Sequence, residues 1–184
     1  VCEQFPALDT LINNAGIIRN LDVNCERDLT DATKEIDVDL SAPIQMVKQF
    51  LPHLKKQSSA LIVNISSGLA FVTFPLSPVY SAAKAAIRDY TRCLQVQLKG
   101  SSVTVVELAP PGVETPLLRG EFAEVMKGQK GMPVEVRAKK AIAGIEAGRA
   151  PFWSGGTHDH GSNPRAFDET LRQRCLKELK ERNV

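Results

Sequence analysis

The chain has 184 residues, 43% hydrophobic and 24% charged, with 23 Lys and Arg against 21 Asp and Glu for a formal charge of +2. That is the balance of a soluble globular domain with one sizeable core. It excludes disorder, collagen and coiled coil, and it is too even to suggest nucleic acid or an anionic membrane as a partner. No apolar run reaches the roughly 18 residues of a membrane span, and Glu3 and Asp9 spoil a signal-peptide reading. Cys2, Cys25, Cys93 and Cys175 are scattered without a C-x-x-C, so the cytoplasm is the expected compartment, with neither a disulfide framework nor a metal site.

Leu8 to Ile12, Ala60 to Ser66 and Ser102 to Leu108 are short apolar or β-branched runs with little alternation, as expected of parallel strands covered on both faces. Between the first two runs a helical period passes through Ile36, Leu40, Ile44, Val47, Leu51 and Leu54. Between the second and third it passes through Ala83, Ile87, Tyr90, Leu94 and Leu98. Ser77 as N-cap, Pro78 at the first helical position and Gly100 past the end set that second helix at about 78–99. The β-α-β-α-β order predicts an α/β fold with a doubly wound, Rossmann-like parallel sheet, in a single domain over 1–184. Val113 to Met132 reads as a mobile lid and Pro133 to Ala147 as a further helix stopped by Gly148. Asn163 and Pro164 open a last helix at about 164–182, with Phe167, Leu171, Cys175 and Leu179 on one face.

Tyr80 and Lys84 are one helical turn apart near the start of the second helix, so their side chains share a face. An adjacent ammonium and a helix N-terminus both favour the phenolate, which fits Tyr80 for proton exchange near neutral pH. Ser67 stands at the C-terminal end of the preceding strand, the edge where open parallel sheets bind ligands, and its hydroxyl suits a substrate carbonyl. The small, amide-rich Asn13-Asn14-Ala15-Gly16 and the segment Pro110 to Thr115 follow the other two strands. By contrast, His158 and His160 lack a third spaced ligand and read as loop. The sequon at Asn64 falls in a buried strand, and His53 reads as a surface residue.

Asn13-Asn14-Ala15-Gly16, Ser67 and Tyr80-x-x-x-Lys84, in this order and spacing, resemble the short-chain dehydrogenase/reductase family over about residues 8–147. Leu51-Pro52-His53-Leu54 and Ala109-Pro110-Pro111 are similar to a branch named for an oxidoreductase of the D-alanine lipoteichoic acid operon. The resemblance implies hydride transfer between NAD or NADP and a carbonyl or alcohol. Tyr80 would be the acid–base group and Ser67 would position the substrate oxygen. Lys84 would hold the nicotinamide ribose and lower the tyrosine pKa. It places Asn13, Ala15, Gly16, Tyr80, Lys84, Pro110, Val113 and Thr115 at the cofactor, and it implies a homodimer or homotetramer.

Asp39 stands where the family has a catalytic Asn whose main-chain carbonyl holds a water. Pro43, having no N–H for that carbonyl, leaves the oxygen open to it. Gly112 falls one place later than the family's usual pattern. No Gly-x-x-x-Gly-x-Gly occurs, so the resemblance also implies an N-terminally truncated chain without the adenosine-binding portion, on the order of 70 residues. Phe71, Phe74, Leu117, Leu118 and Phe122 suggest an apolar substrate. The alternative is a catalytically silent truncated paralogue that serves as a dimerisation or binding module.

Overall fold

The computed structural model describes residues 1–125, 127, 130–146, 152–153 and 177. Strand β1 (Thr10–Asn13) leads to helix α1 (Leu29–Ile36), which passes through a π-helical turn (Asp37–Ser41) into α2 (Ala42–Leu54). Strand β2 (Ala60–Ile65), helix α3 (Pro78–Gln97), strand β3 (Val103–Ala109), the short helix α4 (Pro116–Arg119), helix α5 (Val134–Glu146) and strand β4 (Phe152–Trp153) follow. The strands form one parallel sheet in the order β1-β2-β3-β4, the doubly wound α/β class expected from the sequence. Among the described residues no helix is long and apolar enough to cross a membrane.

Strands β2 and β3 are covered on both faces: Ile62 and Val105 pack in the core with Leu54, Leu94 and Leu98, and Val63 and Val106 are buried on the other face. Strand β1 departs from that expectation. It lies at the edge of the sheet, and Ile12 is 57% exposed, with no strand among the described residues on its outer side. An unpaired apolar edge of this kind is a template for pairing between chains.

The first long helix departs more instructively. Its buried stripe is Glu35, Asp39, Pro43, Val47 and Leu54, whereas Ile36 is 40% exposed. In the π turn the Ala42 N–H reaches back to the Asp37 carbonyl, which widens the helix by one residue and shifts the phase of its buried face. Helix α3 follows its apolar period as expected. Ser77 precedes it, Pro78 opens it and Gly100 lies beyond it at φ +82°, the left-handed conformation that glycine adopts without strain.

The stretch expected as a lid is fastened at its base. Met132 N–H donates to Gly112 O at 2.9 Å and Glu114 N–H to Met132 O at 2.9 Å, while Glu114 also takes Arg119 at 2.6 and 2.8 Å and the Gly131 N–H at 2.9 Å. Further along, Glu121 takes the Asn20 N–H at 2.7 Å and pairs with Arg27 at 3.3 Å, and Phe122 is buried against Phe74 with ring centroids 5.5 Å apart. Ala147, Gly148, the two loop histidines and the expected C-terminal helix lie outside the described residues, apart from Lys177, which is helical and exposed.

Candidate active site

Because β1, β2 and β3 are parallel neighbours, the segments that follow them emerge on one edge of the sheet. The edge is tied together beyond the strands: Ser66 N–H donates to Leu108 O at 3.0 Å and Gly68 N–H to Pro110 O at 2.8 Å. Ser67 caps the short turn Gly68–Ala70, its Oγ accepting the Leu69 N–H at 3.1 Å. Thr115 caps α4, accepting the Leu118 N–H at 3.4 Å and donating to Val113 O at 3.2 Å.

Tyr80 and Lys84 face inward from the first turns of α3 and are both buried. The Lys84 ammonium lies 5.4 Å from the centre of the Tyr80 ring, donates to Ile65 O at 3.1 Å and pairs with Asp39 Oδ1 at 3.0 Å. The contact with Asp39 is an ion pair without hydrogen-bond alignment. The second Asp39 oxygen accepts the Ile17 N–H at 3.3 Å. Tyr80, Lys84, Asp39 and the backbone after Gly16 thus meet at one place.

Burial raises Asp39 above the ordinary carboxylate range, and Lys84 pulls it back. Tyr80 is raised as well, first by burial and then by the negative charge of Asp39, with Ser67 acting in the opposite direction. This corrects the expectation that Lys84 and the helix N-terminus hold the phenol down. The ammonium is already paired with a carboxylate, so the Tyr80 hydroxyl meets the field of the pair rather than of a free cation.

The remaining expected residues divide. Gly16 belongs at the centre, because a Cβ there would lie 2.7 Å from Asp39 Oδ1 and 3.6 Å from Lys84 Nζ. Gly16→Ala is therefore expected to cost about 1–3 kcal/mol by forcing the buried pair apart, read as a lower urea midpoint. An unchanged midpoint would show that the pair yields freely.

The Asn13 side chain is engaged within the sheet, donating to Asn64 Oδ1 at 2.8 Å, and Asn64 in turn donates to Thr91 Oγ1 at 2.9 Å. Phe74 and Phe122 pack together beside the edge, whereas Phe71 lies under the Arg88 guanidinium at 4.4 Å.

Sequence reading missed Glu35, wholly buried at the end of α1 and bound by the Arg19 N–H at 2.7 Å and the Ser77 hydroxyl at 3.4 Å. It also missed Glu107, buried on β3 and bound by the Ser66 hydroxyl at 2.6 Å. Among the described residues no group of His, Cys, Asp and Glu is arranged to hold a metal ion.

A family model described as short chain dehydrogenase matches residues 1–125. The chain belongs to the short-chain dehydrogenase family. It is 36% identical over 149 residues to the uncharacterized oxidoreductase DltE of Bacillus subtilis, covering 80% of this chain and 59% of that protein. It is 34% identical over 157 residues to cis-4-hydroxycyclohexanecarboxylate dehydrogenase of Sinomonas cyclohexanicum, covering 81% and 62%. This short-chain dehydrogenase chain therefore spans about three-fifths of the length of these two curated relatives. Its fold is that of a Burkholderia cenocepacia short chain dehydrogenase solved in complex with NADP. The TM-score is 0.78 at 26% identity, over 95% of this chain and 74% of that one.

Proposed function

We propose that the chain is the catalytic portion of an oxidoreductase that moves hydride between NAD or NADP and a carbonyl or alcohol. The observation that carries this reading is the buried Tyr80–Lys84–Asp39 group beside Ser67, at the edge where parallel sheets bind ligands. Membership of the family and the NADP-bound relative support the cofactor class.

The residues fit such a cofactor. An ammonium has three donors, and among the described residues Lys84 Nζ donates to Ile65 O and faces Asp39, so it has capacity left for a ribose hydroxyl. When bound, the nicotinamide supplies or takes the hydride. Ser67 Oγ accepts the Leu69 N–H and its hydroxyl meets the Tyr80 hydroxyl, so a substrate oxygen would sit between the two and take the Ser67 O–H over from Tyr80. Tyr80, protonated at neutral pH, gives that oxygen its proton in the reducing direction and takes it back in the oxidising one. Pro43 contributes no N–H to the Asp39 carbonyl, which leaves that oxygen for a relay water. Pro110, Val113 and Thr115 in the loop after β3, together with Asn13 and Ala15, would hold the cofactor. The apolar cluster of Phe74, Leu76 and Phe122 supports an apolar substrate, with a ring alcohol or ketone the first to try.

Fluorescence titration with NADH and NADPH, followed by assay of a panel of cyclic and linear alcohols and ketones, tests this reading. Binding to the 184-residue chain is expected to be weak, because the sequence carries no glycine-rich pyrophosphate loop. Lys84→Met is expected to weaken it by a further tenfold or more, the worth of a charge-assisted hydrogen bond of about 1.5–3 kcal/mol. Affinity unchanged by Lys84→Met would remove Lys84 from the cofactor site. Binding without turnover of any substrate would favour the silent binding module.

A further inference from the structure

Glu35 is fully buried, yet among the described residues no cation forms an ion pair with it. Its Oε1 accepts two hydrogen bonds, from the Arg19 backbone N–H at 2.7 Å and from the Ser77 hydroxyl at 3.4 Å, while Oε2 is buried with no hydrogen-bond partner among the described residues. The Arg19 guanidinium is turned elsewhere, to Asp31 at 3.2 Å and Glu121 at 3.6 Å. One helical turn on is Asp39, and across from both on α3 are Lys84 and Tyr80.

Asp39 holds the buried Lys84 ammonium at 3.0 Å, and Glu35, one helical turn before it and also buried, forms no ion pair among the described residues. Ionising both would leave a negative charge in the interior without compensation, which is costly enough that one of the two keeps a proton. Asp39 has the cation and the Ile17 N–H, so it is the ionised member. Glu35 has neutral donors on Oε1 only, so its proton belongs on the bare Oε2. Burial and the charge of Asp39 both push Glu35 above the ordinary carboxylate range, in agreement with this count.

Ser77 gives the arrangement a role. It is the N-cap residue of the Tyr80 helix, but its hydroxyl makes no capping bond and reaches Glu35 instead. We propose that Glu35 is a positioning residue that works as a neutral carboxylic acid. Its Oε1 ties the start of the Tyr80 helix to the backbone after β1, and its proton keeps a second negative charge away from the Tyr80 hydroxyl. The proposal rests on the reading of Tyr80 as the acid–base group, because an ionised Glu35 would oppose the phenolate further.

The charge state is readable without turnover. In the 184-residue chain at neutral pH, infrared difference spectra between wild type and Glu35→Gln are expected to show one protonated carboxyl C=O band in the wild type, shifted in D2O and absent from the variant. Unfolding in urea across pH is the second readout. A carboxyl raised on folding binds more protons in the native state, so wild-type stability should fall as pH climbs from the ordinary carboxylate range through the raised value. Glu35→Gln, an uncharged mimic, should lose that decline and match or exceed wild type at neutral pH, whereas Glu35→Ala should be weaker at every pH because both donors on Oε1 lose their acceptor.

In the turnover assay Glu35→Gln should keep near wild-type kcat, and Glu35→Ala should lose about tenfold to a hundredfold, as expected of misplacement. A missing band, or a Gln variant as impaired as the Ala one, overturns the proposal. Wild type without nicotinamide-dependent turnover would sink the oxidoreductase reading, and the infrared and urea results would still decide the state of Glu35.

Discussion

Tyr80→Phe is expected to reduce turnover by about a hundredfold or more, the usual loss when an acid–base group is removed, while the protein stays folded. Only the hydroxyl goes, and the buried ring keeps its place between the Lys84 ammonium and the core. The lost contact with Ser67 accounts for no more than about 0.5–1.5 kcal/mol of stability. Retention of more than about a tenth of the wild-type rate would exclude Tyr80 as the proton carrier.

The raised phenol also sets the direction of the pH dependence. Reduction of a carbonyl uses the protonated form, which is fully populated throughout the neutral range, so its rate should be flat there. Oxidation uses the phenolate, so its rate should climb about tenfold per pH unit towards the alkaline side. An oxidative rate that levels off near neutrality would mean that the phenol ionises lower than its surroundings indicate.

Asp39→Ala is expected to be among the most destabilising single changes, at about 3–5 kcal/mol, because it leaves the Lys84 ammonium buried without its counterion. The expectation from sequence concerns turnover instead: with the main-chain carbonyl as the working atom, Asp39→Ala should slow the reaction less than Tyr80→Phe does. The structure gives the carboxylate two duties of its own, the ion pair at 3.0 Å and the Ile17 N–H at 3.3 Å.

Asp39→Asn separates shape from charge. It can still accept the Ile17 N–H but removes the negative charge that raises Tyr80, so the alkaline climb of the oxidative rate should begin at lower pH. A pH profile identical to wild type would show that the field of Asp39 does not reach the phenol. An alanine variant as stable as wild type in urea would remove the ion pair from the forces that hold the site.

What was legible in the sequence follows the physics of burial. Strands β2 and β3 declare themselves because both faces are covered and almost every position is apolar. Helix α3 does so because its buried face is apolar apart from Tyr80, Lys84 and Thr91. The helix through Asp39 misleads for the opposite reason. Its inward positions at the sheet edge carry carboxyl groups, and a Glu in a helical segment ordinarily reads as solvent-facing. The available signal was the four-residue spacing of Glu35, Asp39, Pro43 and Val47, a stripe as regular as the apolar one beside it. Only Phe152 and Trp153 of strand β4 are among the described residues, too few for a periodicity to be read.

The amide groups inside the sheet carry a consequence for how the chain avoids folding wrongly. Leu61, Ile62 and Val63 lie beside Thr104, Val105 and Val106, and one apolar residue there would serve nearly as well as the next, so the apolar side chains alone tolerate a strand sliding along its neighbour by two positions. Asn13, Asn64 and Glu107 lie level in the native pairing, and Asn64 bonds both Asn13 and Thr91. A slide of two would face Asn13 with Ile62 or Ser66 and leave buried amides unmatched, at about 1–3 kcal/mol each. It would also carry Ser67 about 6.6 Å out of line with its partners, two steps of about 3.3 Å. Side chains that touch no ligand thus discard the misaligned alternatives and keep the three strand ends that bear the site at one height.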